Sequence, residues 1–125
     1  MKILIIEDEE LAAARMKQLL EELEPGCALN GPFDTVTASI AHLKENRDYD
    51  LIFLDIQLAD GKSFSIFESV RIDIPVIFTT AFDEYALQAF DLNSIDYLLK
   101  PVNREKLKNS LEKFRKITAY FFFFH

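Results

Sequence analysis

Residues 50–55 read DLIFLD, four apolar residues running unbroken from one aspartate to the next. A strand with one wet face alternates apolar and polar residues, whereas an unbroken run suits a strand buried on both faces, as in a parallel sheet covered by helices. Two further stretches share this character, KILIIE at 2–7 and PVIFTT at 75–80. CALNGPF at 27–33, the weakest, and IDYLLK at 95–100 bring the strand candidates to five.

Helical patterns fill the intervals. Leu11, Ala12, Met16, Leu19, Leu20 and Leu23 are expected on one face of a first helix, with Arg15, Lys17, Glu21 and Glu22 elsewhere, before Pro25 and Gly26 stop it. Asp34 is the expected N-cap of a second helix carrying Val36, Ile40 and Leu43 at helical spacing. A third carries Phe64, Phe67 and Val70; a fourth, DEYALQAFDL, carries Ala86, Ala89 and Phe90. A fifth, capped by Asn103, carries Leu107, Leu111, Phe114 and Ile117. Alternation of this kind predicts βαβ units, hence an α/β fold with a doubly wound, five-stranded parallel sheet.

A chain of 125 residues suits one domain with one substantial core. With 14 basic against 21 acidic residues and a net charge of −7, it offers no overall attraction to nucleic acid or anionic lipid. Contact with DNA would require another segment or domain. Cys27 is the single cysteine, which excludes an intrachain disulfide and, with no signal-peptide pattern at the start, predicts a reducing, cytoplasmic setting. No apolar run nears the roughly 20 residues of a membrane helix, so no membrane partner is expected. The closing YFFFFH has no polar alternation. Residues 119–125 are therefore set apart from a domain at 1–118, as a linker stub, an expression remnant or a strip docking on another chain.

In an open α/β sheet, ligands bind beyond the carboxyl ends of the strands. The residues expected there are Glu7 and Asp8, then Asp55, Thr80 and Lys100. Three converging carboxylates repel one another unless a cation sits among them, and oxygen donors of this kind suit Mg²⁺. The ammonium of Lys100 can neutralise a carboxylate and pair with a phosphoryl oxygen. Asp55, aimed by its hydrophobic strand, stands where a nucleophile toward a phosphoryl group would, and the Thr80 hydroxyl can donate to a phosphoryl oxygen. Taken one at a time, the aspartate also reads as a turn former, the threonine as strand filler and the lysine as a surface residue before proline. Their joint occurrence at successive strand ends favours the chemical reading.

The stretches IIEDEE, FLDIQLADG, VIFTTAFDEYALQAF and IDYLLKP resemble the receiver domain of two-component response regulators, over residues 1 to about 118. DEYALQAF together with IDYLLKPV is most similar to receivers of LytTR-type regulators, which carry a separate DNA-binding domain not expected within these residues. The resemblance implies a flavodoxin-like fold with strand order 2-1-3-4-5. It also implies that Asp55 is the phosphoacceptor, that Glu7 and Asp8 position Mg²⁺ with Asp8 favoured as direct ligand, and that Gln57 offers the ion its backbone carbonyl. Thr80 matches the switch hydroxyl, Tyr97 the aromatic switch, and Lys100 the phosphate-pairing lysine, with a cis bond to Pro101. A sensor histidine kinase or phosphotransfer protein is the implied donor. The implied output is a change in the face of the fourth helix, fifth strand and fifth helix, which controls a homodimer or a DNA-binding domain. Leu58 and Ala59 stand where many receivers have Met-Pro, which departs from the family's loop.

Three rival readings remain at this point. A phosphohydrolase with an Asp nucleophile would want a second acid two residues on, where Gln57 stands. A flavin-type cofactor binder would want Ser/Thr/Gly-rich loops after the strands, which are absent. A phosphorylation-independent interaction module would have no use for a full set of chemical positions.

Overall fold

The alternation read from the sequence is the alternation of the chain in a computed structural model that describes residues 1–124, and their side chains through residue 119. Strands β1 (Lys2–Ile6), β2 (Ala28–Phe33), β3 (Leu51–Asp55), β4 (Val76–Thr80) and β5 (Asp96–Leu99) are interleaved with helices α1 (Glu10–Leu23), α2 (Val36–Glu45), α3 (Ile66–Ser69), α4 (Ala86–Asp91) and α5 (Arg104–Phe124). The strands form one parallel sheet in the order β2-β1-β3-β4-β5, the flavodoxin-like order. A two-residue hairpin, Gln57–Leu58 against Gly61–Lys62, follows β3.

Side chains of a strand alternate between faces, so the apolar runs feed two cores. Ile3, Ile5, Leu51, Phe53 and Ile77 pack beneath Met16, Leu19 and Leu20 of α1 and Leu107, Leu111 and Phe114 of α5. Leu4, Ile6, Ile52, Leu54, Val76 and Phe78 pack on the other side against Leu43, Ile66, Val70 and Ala89. Each such side chain contributes on the order of 1.5–3 kcal/mol by leaving water, which ties the central strands firmly to both helical layers.

Several local expectations are corrected. Leu11 is 87% exposed, and Ala13 takes its place in the core. At about 100° per residue, Leu11 lies about 140° round the helix from the buried stripe of Ala13, Met16, Leu19 and Leu20. The cap of α2 is Thr35 rather than Asp34, because the Thr35 Oγ1 accepts from the Ala38 N–H at 3.0 Å. The third helix is one short turn preceded by a 3₁₀ segment at Ser63–Ser65, and the side chain it buries most completely is Ile66. On α4 the inward residues are Tyr85 and Ala89, a spacing of four, while Ala86 and Phe90 face solvent. Ile117 of α5, at helical spacing with the buried Leu107, Leu111 and Phe114, is 37% exposed.

Gly31 has a φ of +100°, and a Cβ there would strike the Ile5 carbonyl. The register of β1 and β2 shifts at this point, and beyond it the Glu7 N–H donates to the Phe33 carbonyl at 2.8 Å. The irregularity thereby anchors the main chain of Glu7 at the carboxyl edge of the sheet. The YFFFFH side chains lie outside the described residues. Among the described residues no helix is long and apolar enough to cross a membrane.

Candidate functional site

Three strand ends deliver acids and a base to one point. Asp55 closes β3 and is 3% exposed; Glu7 follows β1 and is 6% exposed. Lys100 follows β5, held by its N–H donating to the Thr80 carbonyl at 2.7 Å, and its bond to Pro101 is cis. From there its Nζ lies 2.7 Å from Glu7 Oε1, 3.0 Å from Asp55 Oδ2 and 3.0 Å from Glu9 Oε1. An ammonium has three donors, and each meets a carboxylate.

Glu7, Asp8, Glu9 and Asp55 can each bring one carboxylate oxygen within 4.8 Å of the others. Glu9 was not among the residues singled out in the sequence. Its signal was the run IIEDEE itself, read for two acids where the fold uses a third. Glu9 also donates its N–H to Glu7 Oε2 at 3.1 Å, which orders the loop between β1 and α1.

Electrostatics follow from this crowding. Burial, then the hydrogen bond and charge of Glu7, push the Asp55 carboxyl up to about 8, against the pull of Lys100. For Lys100, burial opposes the charge, but the hydrogen bonds and charges of Glu7 and Asp55 outweigh it and raise its pKa. One ammonium among four acids leaves negative charge uncompensated. The donors are hard oxygens only, which fits Mg²⁺, a cation held by one or two carboxylates with water and phosphate oxygens.

The remaining predicted residues form a second cluster beside the first. Thr80 is fully buried, and its Oγ1 accepts from the Phe82 N–H at 3.3 Å. Tyr97 donates its hydroxyl to the Phe82 carbonyl, so Thr80 and Tyr97 meet at the two polar ends of one residue. Thr79, paired with Asp55 across β3 and β4, lines a cleft of about 360 Å³ with Glu7, Glu9 and Lys100. Gln57 is exposed and donates from Nε2 to the Tyr85 hydroxyl at 3.0 Å, which ties the hairpin after Asp55 to the start of α4. The arrangement can hold a divalent cation, present a carboxylate to an electrophile, and meet an incoming anion with a lysine.

The model of the response regulator receiver domain family matches residues 3–112. The chain is 37% identical over 119 residues to the sensory transduction protein LytT of Bacillus anthracis, covering 93% of this chain and 48% of that protein. It is 36% identical over 122 residues to the transcriptional regulatory protein LytR of Staphylococcus aureus strain N315, covering 95% of this chain and 49% of that one. The chain thus spans about half the length of these curated relatives. Among solved structures it is similar to the response regulatory domain of mrkE from Klebsiella pneumoniae, with a TM-score of 0.82, 30% identity, and 94% and 97% of the two chains covered. A two-component response regulator from Clostridium difficile superposes with a TM-score of 0.79 at 30% identity, covering 94% of this chain and 97% of that one.

Proposed function

This chain belongs to the response regulator receiver domain family, and from that premise we propose that it is a phosphorylation switch whose phosphoacceptor is Asp55. Receivers are regulatory phosphoacceptors and not turnover enzymes. The observation that carries the reading is the Lys100 ammonium 3.0 Å from the Asp55 carboxylate, within a cluster of four acids at the carboxyl edge of the sheet.

The donor is a phosphohistidine of a sensor kinase or phosphotransfer protein. An Asp55 oxygen bonds to phosphorus as the P–N bond breaks, and the imidazole keeps the electron pair and takes a proton from water. Glu7, Asp8, Asp55 and the backbone carbonyl of Gln57 would hold Mg²⁺, with Asp8 as a direct ligand. Bound there, Mg²⁺ would supply the positive charge that offsets these acids, so that Asp55 would be held ionised as the nucleophile. Lys100 exchanges a carboxylate for a phosphoryl oxygen, and Thr80 turns its hydroxyl to another. The same groups assist loss of the phosphoryl group to water.

When the Thr80 hydroxyl leaves the Phe82 N–H, the hold of Tyr97 on the Phe82 carbonyl loosens as well. The face of α4, β5 and α5 responds. That face carries exposed apolar residues, Leu87 at 80%, Phe90 at 76% and Leu99 at 39%, which supports its use in a homodimer or in gripping an output domain. The likeness to a sensory transduction protein, LytT, and a transcriptional regulatory protein, LytR, supports an output domain of the DNA-binding LytTR type that regulates transcription. In this reading residues 1–118 are the receiver, 119–125 a linker stub or expression remnant, and the setting is the cytoplasm. With −7 net charge the receiver itself leaves DNA to that domain, and no membrane contact is involved.

The test is incubation with a small-molecule phosphodonor and Mg²⁺, followed by intact mass. The wild type gains one acid-labile phosphoryl group and Asp55→Asn gains none. Acid-stable labelling of Asp55→Asn at the wild-type level overturns the reading.

A further inference from the structure

The first turn of α2 exposes backbone N–H groups that the helix itself cannot satisfy. Thr35 takes care of one, the Ala38 N–H. Two others are met from far along the chain: Asp60 Oδ1 accepts from the Val36 N–H at 2.6 Å, and Asp60 Oδ2 from the Thr37 N–H at 3.1 Å. The Thr37 hydroxyl adds a third bond to Asp60 at 3.0 Å, and the Ala59 N–H reaches the Asp34 carbonyl at 3.2 Å.

Asp60 sits at the tip of the hairpin that leaves Asp55, between the paired residues Gln57–Leu58 and Gly61–Lys62. At the base of the hairpin the Ser63 N–H donates to the Ile56 carbonyl at 2.8 Å. Its two ends are thus tied to different bodies: the base to β3, the tip to α2. A charged acceptor on two aligned N–H groups at a helix start is among the stronger exposed polar contacts, and those bonds hold the Asp60 carboxyl below the usual aspartate range.

We infer that Asp60 is a positioning residue of the phosphoryl site, fixing the hairpin against α2 so that the main chain of Gln57 keeps its place beside Asp55. This rests on the reading of the Gln57 carbonyl as a ligand. Asp60 touches neither the acid cluster nor Lys100 in any hydrogen bond of the described residues, so its effect passes through the hairpin. The departure from Met-Pro at Leu58 and Ala59 removes the rigidity of a proline from this loop, and the Asp60 latch supplies a constraint in its place.

The test uses the full chain with Asp60→Ala, Asp60→Asn and Thr35→Ala, measuring Mg²⁺ affinity by calorimetry, backbone amide exchange over residues 57–63, and thermal melting. Asp60→Ala is expected to weaken Mg²⁺ binding about tenfold, the scale of losing an outer partner of a metal site, and to speed exchange of the Ala59 and Ser63 amides. Asp60→Asn, which keeps one acceptor oxygen, falls between. Thr35→Ala removes the local cap of the same helix and lowers the melting temperature while leaving Mg²⁺ affinity unchanged. Wild-type affinity in Asp60→Ala, or an equal loss in Thr35→Ala, overturns the inference. Absence of Mg²⁺ binding in the wild type sinks the reading of the site itself, and the inference with it.

Discussion

Lys100 lies closer to Glu7, at 2.7 Å, than to Asp55, at 3.0 Å, so its ammonium is shared between two buried acids. Removing it leaves two buried carboxyls without a cation. Lys100→Ala should cost about 3 kcal/mol of unfolding free energy in metal-free buffer, the scale of breaking a buried pair. Urea denaturation with and without Mg²⁺ checks this; the loss should shrink when the ion is added.

Asp55 makes metal-free stability depend on pH in a definite direction. Its carboxyl is raised from 3.8 to about 8 on folding, so between those values the folded state binds the proton and the unfolded state does not. The contribution is fully present below 3.8 and is lost as pH rises through about 8. Melting in EDTA across this range should show the wild type losing stability relative to Asp55→Asn. A constant difference between the two would show that Asp55 does not titrate there.

Asp8 is exposed and makes no hydrogen bond or ion pair with another described residue. Asp8→Asn should therefore raise metal-free stability by up to about 1 kcal/mol, because it removes one of four crowded negative charges without breaking a bond. If Asp8 is a direct ligand, saturating Mg²⁺ stabilises the wild type by about 2.7 kcal/mol at a hundred times Kd, and the variant by much less. Thermal shift against Mg²⁺ concentration separates the two.

Leu11 and Leu20 sit on the same helix with 87% and 0% of their surface exposed. Leu20→Ala should destabilise by about 3 kcal/mol through lost burial and a cavity, whereas Leu11→Ser should stay within about 0.5 kcal/mol. Equal costs in chemical denaturation would place α1 in a different rotation.

The unbroken apolar runs of β1, β3 and β4 made the parallel sheet legible, because only strands buried on both faces read that way. The helices were legible as segments but less so in their rotation. Leu11, Phe90 and Ile117 are apolar yet exposed, and periodicity alone cannot tell an apolar residue that faces the core from one just beyond its edge. The cap of α2 was displaced by one residue because Asp34 and Thr35 are both good acceptors, and the bond to the Ala38 N–H decides between them.

From residue order alone came the α/β alternation, the strand ends, and the acids, hydroxyl and lysine that stand there, because strand periodicity and parallel topology force successive carboxyl ends to one edge. Only the tertiary structure decided the partners. That Lys100 divides itself among Glu7, Glu9 and Asp55, that Thr80 and Tyr97 meet at Phe82, and that Asp60 reaches back to α2 are contacts between residues 15 to 93 positions apart or set by rotamers within a loop, and no local spacing encodes them. Their physical cause is packing: the two cores lock the sheet and its loops in place, and that fixed frame decides which side chains come within reach of one another.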